Sequence, residues 1–246
     1  MKKLVRDMFI IAIMKSIPDF KRQPLMLMVL GLISAIPLFF IAIFSQGMIG
    51  QGLIGTMISM VAFIGIAAGI QDITWDRYVK IREMIVAMPV HPLSYALGIA
   101  IAPLIISLPG IVFFAIIAFL LGVLTFSSIG WLVSALTLCW ASMSGLGFLI
   151  STYMRKSSPY TLSNLSTLLG IGLIFLPPVY YPEEMLGSYS WISLLFPTSN
   201  SAGLIRVYSG LSTMDWGNLA LRWILLIAVT AVSIILTVAK AKWRED

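Results

Sequence analysis

The chain has 246 residues, of which 59% are hydrophobic and 11% charged, and its net charge is +6. Soluble domains are about 25% charged, and a mean hydropathy of +1.00 leaves more apolar surface than one soluble core can hide. These values exclude a soluble domain, a disordered chain and a nucleic-acid binder, and they place the chain among polytopic membrane proteins.

In chain order, Met1–Phe20 comes first. Its apolar run, Met8–Met14, is too short to span and is interrupted by Lys15 and Asp19. No small-residue cleavage site follows, so the segment reads as a retained helix on the cytoplasmic surface, ended by Pro18. Next come stretches without Asp, Glu, Lys or Arg, scanned for the ~20 apolar residues a spanning helix requires. Gln23–Gln71 predicts spans near Leu25–Phe44 and Leu53–Ile70, joined by a turn at Ser45–Gly52. Met84–Met154 predicts spans near Tyr95–Leu121 and Ile129–Tyr153, with Pro103 and Pro109 inside the first of them. Leu162–Leu176 forms a fifth span, ended by Pro177 and Pro178. Trp223–Ala239, extended back to Leu219, forms a sixth, with Arg222 and Lys240 snorkelling to the interfaces. Met185–Ile205 is uncharged but rich in Ser, Thr, Asn, Gly and Pro. It is too polar to face lipid, which predicts short re-entrant or interfacial helices between spans five and six.

With six spans, fourteen basic residues lie on the side of both termini and two, Arg206 and Arg222, on the other. The positive-inside rule then makes both termini cytoplasmic, in a multi-pass plasma-membrane protein.

Two segments carry possible chemistry. In the loop 72–93, charges recur at helical spacing and Ile81, Met84, Ile85 and Met88 form an apolar stripe ended by Pro89. It reads as an amphipathic connector or as a docking helix for a soluble partner, with His91 a surface or docking residue. After span five, Pro177, Pro178 and Pro182 stop the membrane helix, and Glu183 and Glu184 suit the start of a new one. Tyr180, Tyr181, Tyr189 and Trp191 suit an interfacial belt. This segment, 177–218, reads as an anchored external loop or as a gate. Gly65 and Gly69 form a G-x-x-x-G pair for close helix packing, within the chain or between copies.

Enzyme chemistry finds no support. One cysteine and one histidine exclude H-E-x-x-H, cysteine metal sites and two-histidine centres on one chain. Glu183-Glu184 lacks the partner histidines of an intramembrane protease. No charged residue falls at mid-depth of a span, as ion-coupled carriers usually require. The sparse small hydroxyls within the spans suit an apolar or amphipathic cargo.

Taken together, the two segments resemble the permease subunit of ABC transporters of the ABC-2 type. Lys80, Arg82, Glu83, Met84, Met88, Pro89, Val90 and Pro92 fit that family's coupling helix. Pro177, Tyr180, Tyr181, Pro182, Glu183, Met185, Pro197, Leu204, Ile205 and Arg206 fit its post-span-five order. Gly187 stands where the family often has proline. The resemblance spans the whole chain and implies a single domain, 1–246. That domain would be all-α and integral to the membrane, with an N-terminal interfacial helix (1–20) and six transmembrane helices. It implies ATPase docking through Lys80, Ile81, Arg82, Glu83, Met84, Met88, Pro89 and His91. It implies an external gate at Pro177, Pro178, Tyr180, Tyr181, Glu183, Glu184, Trp191 and Arg206. The chain has no G-x-x-x-x-G-K-[ST] loop, so ATP and magnesium are expected on a separate ATPase subunit, with no cofactor on this chain. A second permease copy and membrane lipid are the other expected partners, and the family favours export. A channel or scaffold without ATPase coupling is the alternative.

Overall fold

The computed structural model describes residues 2–22, 24–79, 92–154 and 157–240. Every regular element among them is helical. The first helices are α1 (Lys2–Arg22), α2 (Pro24–Phe44), α3 (Ile49–Ala67) and α4 (Ile73–Tyr78), with a π-helical turn at Ala68–Asp72 joining the last two. Then come α5 (Pro92–Leu120), α6 (Phe126–Tyr153) and α7 (Pro159–Phe175). A 3₁₀ segment (Glu183–Leu195), α8 (Pro197–Tyr208) and α9 (Trp216–Lys240) complete the chain.

Among the described residues, Ile49–Asp76, Leu97–Leu120, Phe126–Tyr153 and Trp216–Leu236 are long and apolar enough to cross a bilayer. Gly31–Phe44 and Pro159–Phe175 are apolar but shorter. At ~1.5 Å per residue, the 17 residues of α7 fall a few ångströms short of a ~30 Å hydrocarbon core.

Helix α3 is the axis of the molecule. It is apolar on every face, so its burial requires neighbours all round, and it packs against α2, α5, α6, α7 and α8. Leu53, Ile54, Met57, Ile58, Met60 and Ile66 are almost fully buried. The expected turn at Ser45–Gly52 contracts to one 3₁₀ turn, Gln46–Met48, and α3 begins at Ile49. Gly52 serves packing rather than turning: a Cβ there would lie 2.8 Å from Leu38 Cδ1 of α2. Near the other end, α3 and the π-helical turn that follows it meet α6 backbone to backbone. A Cβ on Gly69 would stand 2.8 Å from Gly147 Cα, Phe148 N and Ser144 O, and one on Gly65 would stand 3.0 Å from Met143 Cβ. The G-x-x-x-G pair therefore packs within the chain.

Helix α1 does not stop at Pro18 but runs on to Arg22. A proline inside a helix forfeits one backbone hydrogen bond and kinks the helix more readily than it ends it. Buried Ala12 and Ser16 face inward, and Ile11 closes over Gly98 of α5. Ser94 Oγ donates to Leu4 O at 3.1 Å. The opposite face leaves Phe9, Ile13, Met14 and Ile17 exposed.

An ion pair fixes α1 to α4. Lys15 Nζ lies 3.0 Å from Asp76 Oδ2, which also accepts from Tyr95 OH at 2.6 Å. Asp76 is buried, so its charge depends on both donors. Asp76→Asn is expected to preserve the helices but free α1, raising amide exchange across residues 2–22 several-fold relative to α6. Unchanged exchange in α1 would show that the apolar contact with α5 suffices alone.

Candidate functional site

Two prolines end α7 at Phe175, because neither can donate a backbone hydrogen bond to continue it. The chain then turns back over the bundle. Arg206 of α8 reaches under this turn, its Nη1 donating to Pro178 O at 3.0 Å and its Nη2 to Val179 O at 2.6 Å. Tyr180, expected in an interfacial belt, instead hangs from the same turn into the core, where its hydroxyl finds two partners. Its hydroxyl donates to Ser34 O of α2 at 2.9 Å and is hydrogen-bonded to Ser59 Oγ of α3 at 2.5 Å. Gly55 makes room for it, since a Cβ there would lie 2.7 Å from Tyr180 Cδ1. Tyr180→Phe deletes both buried hydrogen bonds. The expected cost is about 1–3 kcal/mol, read as a lower thermal midpoint of the detergent-solubilised chain; an unchanged midpoint would show the pin to be idle.

The 3₁₀ segment is broken at Gly187, where φ is +52°, a left-handed conformation that glycine adopts without strain. It leads into α8, whose residues Pro197 to Arg206 are all buried. Each polar side chain that α8 buries therefore needs a partner. Thr198 Oγ1 donates to Leu173 O at 2.6 Å, Asn200 Nδ2 to Leu194 O at 2.8 Å and Ser201 Oγ to Ala135 O at 3.3 Å. Arg222 of α9 crosses α8 at Gly203, where a Cβ would lie 2.7 Å from Nη1. Beyond that crossing its Nη2 pairs with Glu183 Oε2, which also accepts from Ser193 Oγ at 2.7 Å.

The result is a charged layer at one end of the bundle. Arg206 and Arg222 are 3% and 4% exposed, so each charge must be met inside the protein. Burial pushes the Arg206 guanidinium down to about 10, while Glu183 and Glu184 pull it back up and Arg222 opposes them. It stays charged at neutral pH. Among the described residues no group of three or more His, Cys, Asp or Glu is placed to hold a metal ion.

The structure brings together most of the residues expected after span five. Pro178, Tyr180, Glu183 and Arg206 belong to the hydrogen-bonded layer, and Pro177 is buried beside it. Glu184 and Trp191 line the clefts above it. Tyr181 stands apart, its hydroxyl donating to Leu176 O at 3.1 Å. Lys80, Ile81, Arg82, Glu83, Met84, Met88, Pro89 and His91 lie outside the described residues.

Arg222 requires a correction, because it does not snorkel to an interface. Glu183 and Ser193 hold it inside the protein, and the absent side chain at Gly203 gives it the path. The Lys15–Asp76–Tyr95 group also went unpredicted. Neither arrangement leaves a local mark, because the paired residues are 39 and 61 positions apart. No protein-family model and no characterised protein matches the chain significantly.

Proposed function

We propose that the chain is the permease subunit of an ATP-driven transporter of the ABC-2 type. In this reading α2, the rod from α3 to α4, α5, α6, α7 and α9 are six spans. Helix α1 lies at the cytoplasmic interface of the plasma membrane, and both termini are cytoplasmic. The observation that carries the reading is the polar segment between the fifth and sixth apolar helices, folded inward as α8 and fastened by Arg206 to the turn after α7. An anchored loop needs no such internal charge, whereas a gate needs a firm mount.

ATP hydrolysis belongs to a separate ATPase that docks on Lys80–His91, and two copies of the chain form one complex. The Lys15–Asp76 pair ties α1 to the helix leading into that loop, which would carry a push on the loop into the bundle. An open apolar groove of about 490 Å³ along α5 and α6, lined by Leu108, Ile111, Phe119, Leu132 and Leu136, suits export of an apolar or amphipathic cargo.

The test is co-purification in mild detergent from a host that also expresses the neighbouring genes, with stoichiometry read by native mass spectrometry. Two copies with two ATPase chains are expected, and the ATPases should be lost when Glu83, Met84 and Met88 are replaced by alanine. A lone chain with no ATP-dependent activity would sink the reading in favour of a channel or scaffold.

A further inference from the structure

Two cavities adjoin at the end of the bundle that carries the arginines. The smaller, of about 310 Å³, is walled by Gln51, Glu183, Glu184, Arg206, Ser212 and Thr213, among others. The larger, of about 490 Å³, shares Glu183, Glu184 and Thr213 and adds Trp191, Asp215 and Arg222.

Most of the charge here is already committed. Glu183 pairs with Arg222. Asp215 accepts from the backbone N–H of Asn218 at 3.3 Å and from its Nδ2 at 2.5 Å, at the start of α9. Two charged groups of the smaller cavity remain. Arg206 spends its Nη groups on neutral carbonyls, and its buried Nε has no partner. Glu184 is exposed and acts on Arg206 only at longer range; among the described residues no ion pair joins it to a cation. A third group, Gln51 Oε1, is also buried and unpaired.

One wall thus offers a cationic donor, a carboxylate and a neutral acceptor, with no described hydrogen bond or ion pair between them. A simple anion would meet Glu183 and Glu184. A simple cation would meet Arg206 and leave its Nε unpaired. A ligand bearing both charges suits all three groups. The depth of the site narrows the choice. Tyr189, Trp191 and Trp216 are strongly exposed at this end, and exposed Trp and Tyr gather where headgroups lie.

We propose that the smaller cavity binds a phosphoethanolamine group, its phosphate oxygen accepting from Arg206 Nε and its ammonium donating to Glu184 and Gln51 Oε1. Ser212 and Thr213 flank the phosphate. The volume fits the zwitterionic head and excludes two acyl chains, so a bilayer lipid would bind with its tails outside. This site does not depend on ATPase coupling, and its occupancy can be measured on the purified chain alone.

The full chain in mild detergent is titrated with dihexanoyl phosphatidylethanolamine, phosphatidylcholine and phosphatidylglycerol, and binding is read by calorimetry. Phosphatidylcholine lacks an ammonium N–H and phosphatidylglycerol lacks the cation. Each loses a charge-assisted hydrogen bond, so phosphatidylethanolamine is expected to bind about tenfold more tightly than either. Glu184→Gln should reduce that preference to about twofold or less with little change in the thermal midpoint, because Glu184 is exposed and makes no described hydrogen bond or ion pair. Gln51→Leu should weaken phosphatidylethanolamine and leave phosphatidylcholine unchanged. Competition by free O-phosphoethanolamine would assign a soluble ligand, and binding of the lipid form alone would assign a bilayer lipid; either supports the proposed chemistry. Equal affinity for the three lipids, or a preference that survives Glu184→Gln, would overturn it. Failure of the co-purification to recover an ATPase would sink the transporter reading, and a chain that still prefers phosphatidylethanolamine would leave this site standing.

Discussion

Arg222→Ala is expected to destabilise the chain by about 3–5 kcal/mol, because it strands a largely buried carboxylate. Glu183 loses its ion pair and keeps only the Ser193 hydroxyl. The α8 backbone also loses the donor that reaches Ser199 O at 3.4 Å. The measurement is the unfolding midpoint in a fixed detergent, followed by tryptophan fluorescence. The double replacement Glu183→Gln with Arg222→Met should recover most of the loss, since removing both charges leaves neither one uncompensated. If the single variant stays within about 0.5 kcal/mol of the parent, the pair is solvated and does not organise α8.

Gly69→Ala is the second large effect. The added Cβ would meet three backbone atoms of α6 at 2.8 Å, and no flexible side-chain end is there to yield. Two helices would have to separate, so a cost at or above about 3 kcal/mol is expected, the upper end of overpacking penalties. Gly147→Ala should behave alike from the other side of the crossing. Gly31→Ala, which meets nothing within 4 Å, is the control and should be neutral in the same assay. A neutral Gly69→Ala would mean that the π-helical turn and α6 do not touch there.

The positions of the apolar helices were legible because a bilayer imposes length and composition together. Uncharged stretches bounded by Pro, Gly or basic residues placed α2, α5, α6 and α7 within a few residues of where they lie. Glycine misled where it served packing. Gly50 and Gly52 look like a turn, yet they lie inside α3 beneath neighbouring side chains. Pro18 misled for a related reason, since a helix tolerates one lost hydrogen bond when its ends are otherwise favourable.

The candidate site divides along the same line. Arg206 and Tyr180 were singled out by the resemblance, but Tyr180 reads in the sequence as a belt residue and not as the buried pin that it is. Arg222 was not singled out, because it sits in an apolar helix and looks like a boundary residue. Its partner Glu183 is 39 positions away, and only the tertiary fold brings the two together. Lys15 and Asp76 were hidden in the same way.

The burial of α8 also constrains how the molecule is made. A helix carrying Thr198, Ser199, Asn200, Ser201 and Arg206 cannot partition into hydrocarbon unaided, since each bare polar group there costs several kcal/mol. Its partners come from both sides of it in the chain: Ala135 and Leu173 are made before it, and Arg222 after it. The contacts of α8 can therefore be complete only once α9 has been made. Chains released before Arg222 would keep their apolar helices yet leave this segment outside the bundle, marked for proteolysis.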